Sequence, residues 1–153
     1  MADIIRPAGG YYPPVGFYFN VQFIGLGAKD NDARFQEVGG LNSELTIEEL
    51  KEGGENRFTH KLPNPAKFPN LVLKRGMLED SALITWFQNA IYNFEFKPIQ
   101  INVALLDESG NALTTWKFTR AWPMKWTVSD LKAMDSSLVI ETVELAYQYF
   151  TRE

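Results

Sequence analysis

No cysteine occurs in this 153-residue chain, and histidine occurs once, as His60. These two absences exclude disulfide staples, thiol nucleophiles, Cys-ligated zinc and any metal site built on two histidines. No window approaches the roughly 18 consecutive apolar residues of a membrane-spanning helix, because Asn, Gln or Lys interrupts the longest apolar runs, so the monomer is not expected to insert into a membrane. The N-terminal MADIIRPAGGYYPP has no basic segment followed by an apolar stretch. No signal peptide is therefore expected, and synthesis is placed in the bacterial cytoplasm. Basic residues are scattered, and 15 Lys and Arg against 19 Asp and Glu leave a net charge of −4. A nucleic-acid groove is disfavoured.

What the chain has is bulk. Eleven Phe, 6 Tyr and 4 Trp bring aromatic residues to 14%, within a hydrophobic share of 45%. A chain of this size folds as one domain and buries roughly 70% of its unfolded surface. Residues 1–16, with Pro7, Pro13, Pro14, Gly9 and Gly10, read as an extended arm, and 17–150 as a single domain.

Most of that domain alternates with the period of a strand. Phe17, Phe19, Val21 and Phe23 share one side of a strand over 17–24, and FQEVGGL over 35–41 reads as a short strand bent at Gly39 and Gly40. Residues 43–51 are even between helix and strand, since Thr46 and Glu49 have capping-box spacing while Leu45 and Ile47 alternate with Glu44, Thr46 and Glu48. GGEN at 53–56 is a turn before the alternating RFTHKL. Pro63, Pro65 and Pro69 then predict an extended loop before a short strand at Leu71 to Lys74. A helix is predicted over 81–92 with Asp80 as N-cap, because Leu83, Trp86, Phe87, Ala90 and Ile91 recur at helical spacing. Ile99 to Leu106, the turn DESGN and a return strand through Trp116 and Phe118 form a hairpin, with Pro123 expected to interrupt the ladder. A last alternation over 138–150 places Val139, Glu141, Val143, Leu145, Tyr147 and Tyr149 on one parity. About seven strands and one helix predict a mainly β fold, an antiparallel β-barrel or sandwich with one packed α-helix.

No cluster of reactive residues emerges from this pattern. His60 sits between Thr59 and Lys61 with no nucleophile nearby, which favours a surface or interface imidazole over a general base. Gly25 and Gly27 lack the third glycine of a dinucleotide loop, and GGEN lacks the Lys-Ser or Lys-Thr of a phosphate loop. The acidic pairs Glu48 with Glu49, Glu79 with Asp80, and Asp107 with Glu108 lie at element ends, where solvated charge is the ordinary reading. Trp116, Phe118, Trp122 and Trp126 fit a core or subunit interface better than a sugar platform. No catalytic residue, metal ligand or cofactor site is assigned. One need remains: a single helix cannot cover the sheet edges, so they must be blunted or paired, and an identical neighbour is the economical partner.

Five phrases in order carry a resemblance: FQEVGGL from Phe35, GGENRFTHKLPNPAKFPNLVLKRGM from Gly53 to Met77, ITWFQ, WKFTRAWPMKW from Trp116, and LKAMDSSLVIETVELAYQY. Together they resemble the inner-tube proteins of contractile phage tails and phage-like extracellular contractile injection systems. The resemblance covers roughly residues 15–149, although many relatives close with a Gly-containing turn where this chain reads YQYFTRE. It implies a fold similar to the hemolysin-coregulated protein of type VI secretion, in hexameric rings stacked into a hollow tube. A sheath protein would surround that tube, baseplate or hub and tube-terminating proteins would close its ends, and effectors or DNA would pass through its lumen. It implies a strand at 44–50 paired with 57–62, and a ring-stacking loop of Lys51, Glu52, Gly53, Gly54, Glu55, Asn56 and Arg57. The N-terminal arm is a second stacking candidate. Lumen candidates are Glu44, Thr46, Glu48, Arg57, Thr59 and Lys61, while the helix residues Leu83, Trp86, Phe87 and Ile91 would close the core. Three alternatives stay open: a specialised first ring at the baseplate, a monomeric β-barrel ligand binder, and a carboxylate hydrolase.

Overall fold

The computed structural model describes residues 18–27, 34–54, 56–79 and 81–153, and the expected arm at 1–16 lies outside them. Along the described chain run β1 (Phe19–Ile24), β2 (Glu37–Gly39), β3 (Glu44–Leu50), β4 (His60–Lys67), β5 (Leu71–Gly76), α1 (Ala82–Asn93), β6 (Ile99–Leu106), β7 (Ala112–Val128), β8 (Ile140–Ala146) and β9 (Tyr149–Arg152). All pairings are antiparallel. The body follows the order β1-β6-β7-β8-β5-β2 with β9 also on β7, while β3 and β4 form a separate two-stranded sheet.

The 17-residue β7 joins the two layers. Its first part, to Ala121, pairs with β6 and β9, and its second, from Trp122, pairs with β8. Between them the register slips, with Ile99 opposite Ala121 but Ile101 opposite Phe118, and Arg120 adopts a φ of 54°. An extra residue of this kind bends and twists a strand, which lets one strand serve both layers. Pro123 does not end the ladder as expected. It lies within β7 opposite Leu145, beside a second slip between Pro123 and Lys125, and such an irregularity tolerates a missing donor. The alternation read over 138–150 is likewise divided, into β8 and β9.

Side-chain parity builds the core. Val21, Phe23, Ile101, Val103 and Phe118 face Leu71, Leu73, Val143 and Leu145, and α1 adds Leu83, Trp86, Phe87 and Ala90. Trp86 keeps its indole satisfied by donating Nε1–H to the Lys97 carbonyl at 2.9 Å. Ile91, expected to close the core, is instead 52% exposed. At about 100° per residue it sits roughly 80° around α1 from Leu83, beyond the stripe that the other four occupy. The N-cap is Ser81, whose Oγ accepts the Leu83 N–H at 3.2 Å, whereas Asp80 lies outside the described residues.

One ion pair crosses this core. The Arg75 and Glu141 side chains are only 2% and 1% exposed, with Nε 3.4 Å from Oε2. They are cross-strand neighbours on β5 and β8. Arg75 Nη2 also donates to Ser81 Oγ at 3.0 Å, and the guanidinium lies 5.1 Å from the Phe35 ring centroid. A buried charge needs this degree of compensation. The pair therefore ties the end of β5 to the start of α1 and to β8.

Candidate assembly surface

The β3–β4 hairpin stands apart because its apolar residues have no core beneath them. Leu45 is 65% and Ile47 58% exposed, and Leu50, Phe58 and Leu62 are exposed too. A lone two-stranded sheet is marginal in water, so its stability must draw on another surface. Strand formation at 44–50 agrees with the resemblance, but its partner β4 begins at His60 and runs to Lys67. Pro63 and Pro65 thus lie in a strand, not in the loop that local rules predict. Among the described residues β3 is the only strand beside β4. A strand with one neighbour and an irregularity between the two prolines tolerates their missing donors.

Register fixes what each face carries. Glu48 lies opposite Leu62 and Glu49 opposite Lys61, while Leu45 lies opposite Ala66 and Ile47 opposite Pro63. The extra residue is therefore on β4, at 64–65, and β3 alternates without a break. One face bears Glu44, Thr46, Glu48 and, toward the tip, Leu50 with His60 and Leu62. The other bears Leu45, Ile47, Pro63 and Ala66, ending in Glu49 and Lys61. The lumen candidates do not form one polar wall: Glu44, Thr46 and Glu48 share a face, and Lys61 is on the opposite one. Thr59 and Arg57 precede β4.

Lys51, Glu52, Gly53, Gly54, Asn56 and Arg57 make the hairpin's exposed end, with Glu55 outside the described residues. Gly54 takes a φ of 92°, the left-handed conformation that a tight reversal requires and that glycine adopts without a Cβ penalty. His60 Nε2 is 3.3 Å from Glu52 Oε1, and its ring meets Phe58 edge-on at 5.1 Å. The imidazole thus braces the tip.

Glu48 and Glu49 point to opposite faces of β3. Asp107 Oδ1 accepts the Ser109 and Asn111 N–H groups at 2.9 and 2.8 Å, closing the β6–β7 turn. Among the described residues no three His, Asp or Glu side chains gather as a metal site. Of the four aromatics on β7, Phe118 is buried, Trp116 and Trp126 pack against the core, and Trp122 is partly exposed.

A second surface gathers Phe94 and Phe96, which no periodicity in the sequence marks, beside Trp122. Phe94, 82% exposed, stacks edge-on against Phe96 at 4.9 Å, and Phe96 against Trp122 at 5.7 Å. These rings, with Pro98, Arg120 and Gln148, line an open groove of about 560 Å³. The signal was present in the FEFKP that follows α1, where aromatic residues continue after the helical period has ended.

A two-layer β body with a detached apolar hairpin and an exposed aromatic groove is built for association rather than covalent chemistry. The chain belongs to the T4-like virus tail tube protein gp19 family, which matches residues 15–151. It is a structural tube protein. Among solved structures, a chain of the anti-feeding prophage baseplate is 29% identical, with a TM-score of 0.83 over 94% of this chain and 97% of that one. A chain from the PVC extracellular contractile injection system sheath-tube complex, 22% identical over 93% and 92%, has a TM-score of 0.77. The Hcp1 protein of Flavobacterium johnsoniae, 16% identical over 89% and 94%, shares the fold at 0.53. No curated protein matches the chain in sequence.

Proposed function

We propose that six copies of this chain form a ring, that rings stack into a hollow conduit inside a contractile sheath, and that the conduit ends on a baseplate and a cap. Such a particle delivers effectors or DNA outside the cell that made it. The observation that carries this reading is the β3–β4 hairpin, whose apolar residues are exposed on both faces in the single chain. Buried between copies, the hairpin gains the surface it lacks. Six copies at −4 each would give a ring about −24, which keeps rings soluble before they stack.

Glu44, Thr46 and Glu48 supply the polar face suited to a lumen, where cargo must slide without adhering. Residues 51–57 form the ring-to-ring junction. Negative-stain electron microscopy of the purified protein should show six-fold rings or tubes with a central hole. Gly53→Tyr, placed where a side chain has open space, should spare rings and block stacking. A solution of monomers only would end the proposal, and normal tubes from the Gly53 variant would remove the junction from it.

A specialised first ring at the baseplate is the second reading. It is favoured by one comparison: the 29% identical chain comes from a baseplate, and the 22 and 23% identical ones from sheath-tube and cap assemblies. Copy number per particle by quantitative mass spectrometry separates the two, since a main tube subunit outnumbers a first ring many-fold.

A further inference from the structure

Only two non-glycine residues in the described chain have positive φ, Phe94 at 52° and Arg120 at 54°, and both line the groove beside Trp122. Left-handed backbone is costly for bulky residues and persists where the surrounding structure enforces it. Here it holds an aromatic ring in solvent and sets a guanidinium at the groove's side. Arg120 is the one charged residue among those that line it.

The hairpin presents the complement. Along the apolar face of β3, Leu45, Ile47 and Glu49 follow at two-residue steps, so two aliphatic side chains and a carboxylate span roughly 13 Å. The three rings of the groove follow one another at 4.9 and 5.7 Å between successive centroids, so their centres span no more than about 11 Å, room for the two aliphatic side chains. β3 carries Glu44, Glu48 and Glu49 and no basic residue. Hairpin and groove are both exposed in the single chain, so neither covers the other.

We infer that this groove is the receptor for the β3 edge of a second copy: Leu45 and Ile47 pack on Phe94, Phe96 and Trp122, and Glu49 pairs with Arg120. The contact is heterologous, joining different surfaces of identical chains, which is the type that propagates around a ring or along a stack. A sheath segment is the competing occupant. A sheath that shortens along a tube must release it, which suits a polar, weakly held surface. An aromatic groove with a single cation, losing its water only on contact, suits a permanent joint. The inference rests on the proposal that copies assemble.

The test reverses each charge in the full chain, with Glu49→Arg and Arg120→Glu, and measures assembly by sedimentation velocity. Circular dichroism and thermal melting check that both variants fold, as expected for substitutions at exposed positions. Each single variant should raise the protomer concentration needed for assembly at least about tenfold, since like charges then face each other. Equimolar mixing of the two variants should restore assembly, because each hairpin meets a groove of opposite charge on the other variant. A contact within one chain would not be rescued by mixing.

Single variants that assemble like the parent overturn the groove assignment. Folded single variants that fail to assemble and are not rescued by mixing overturn the pairing. A parent chain that does not assemble at all overturns the assembly reading itself, and the groove assignment with it.

Discussion

Removing Glu141 should damage the fold more than removing both members of its ion pair. Its carboxylate and the Arg75 guanidinium are almost wholly sequestered, so Glu141→Ala takes from a buried cation the carboxylate that faces it across the β5–β8 pair, with Ser81 Oγ and the Phe35 ring still among its contacts. Breaking a buried pair in this way costs about 3–5 kcal/mol, which for a chain of this size lowers Tm by roughly 6–20 °C. Glu141→Gln keeps the shape and an acceptor and should lose less, about 1.5–3 kcal/mol. The double variant Arg75→Met with Glu141→Leu removes both desolvated charges at similar volume, and it should return to within about 1 kcal/mol of the parent or exceed it. Ser81 keeps its role in that variant, because its Oγ still caps the Leu83 N–H.

Urea unfolding followed by tryptophan fluorescence, at one protomer concentration for all variants, holds assembly-linked stabilisation constant. A Glu141→Ala variant losing under 1 kcal/mol would mean that the site is wet. A double variant as unstable as the single would mean that the pair itself, rather than the cost of burying a cation without its carboxylate, supports the fold. Either result refutes the reasoning.

Trp86→Ala should cost roughly 3–5 kcal/mol and prevent folding rather than assembly alone, and a soluble monomer of near-normal Tm would contradict the core assignment. Tyr147, whose hydroxyl is buried without a hydrogen-bond partner among the described residues, has its pKa pushed up to about 12 by desolvation. Its neutral form therefore contributes stability that is complete below pH 10 or so and lost as pH rises through 12. Tyr147→Phe should flatten alkaline unfolding over that window and gain about 1 kcal/mol at neutral pH, and an unchanged pH profile would reject the assignment. Gly40, at φ 86°, has no room for a methyl group, because a Cβ would strike the Asn70 carbonyl oxygen, whereas at Gly39 it would meet Val72 at an ordinary 3.9 Å. Gly40→Ala should lower the urea midpoint by well over what Gly39→Ala does, and equal shifts would show that the β2 end repacks freely.

Where burial acts on one face of an element, the sequence displays it. Val21 and Phe23, Ile101 and Val103, and Val143 and Leu145 are buried on the parity that their alternation predicts, and Leu83, Trp86, Phe87 and Ala90 by helical spacing. Glu141 even appears on the core parity of its strand, but its partner lies 66 residues away, and no local pattern reports that distance. The failures have separate causes. Pro63 and Pro65 argue for a loop only if the strand has neighbours on both edges, and β4 has one among the described residues. The hairpin's polar residues divide between faces because an irregularity at 64–65 resets the register, which composition cannot encode. Phe94 and Phe96 are placed by a left-handed helix end.

The same features explain how a chain with an exposed hairpin avoids indiscriminate pairing. An open strand edge templates any other strand, and apolar residues on both faces increase that hazard. On β4, Pro63 and Pro65 remove two backbone donors, and the irregularity at 64–65 disturbs the edge further. On β3 the backbone remains competent to pair, but three glutamates and no base make two such edges repel. Partner choice is thus restricted to a surface that supplies both apolar contact and positive charge, and the groove with Arg120 among its aromatic rings meets those conditions. On the proposed pairing, the two-layer body, with its own core, would fold without waiting for a neighbour, while the hairpin would gain its full stability only on contact. Separating folding from assembly in this way would let subunits stay apart until a growing end offers the complementary site.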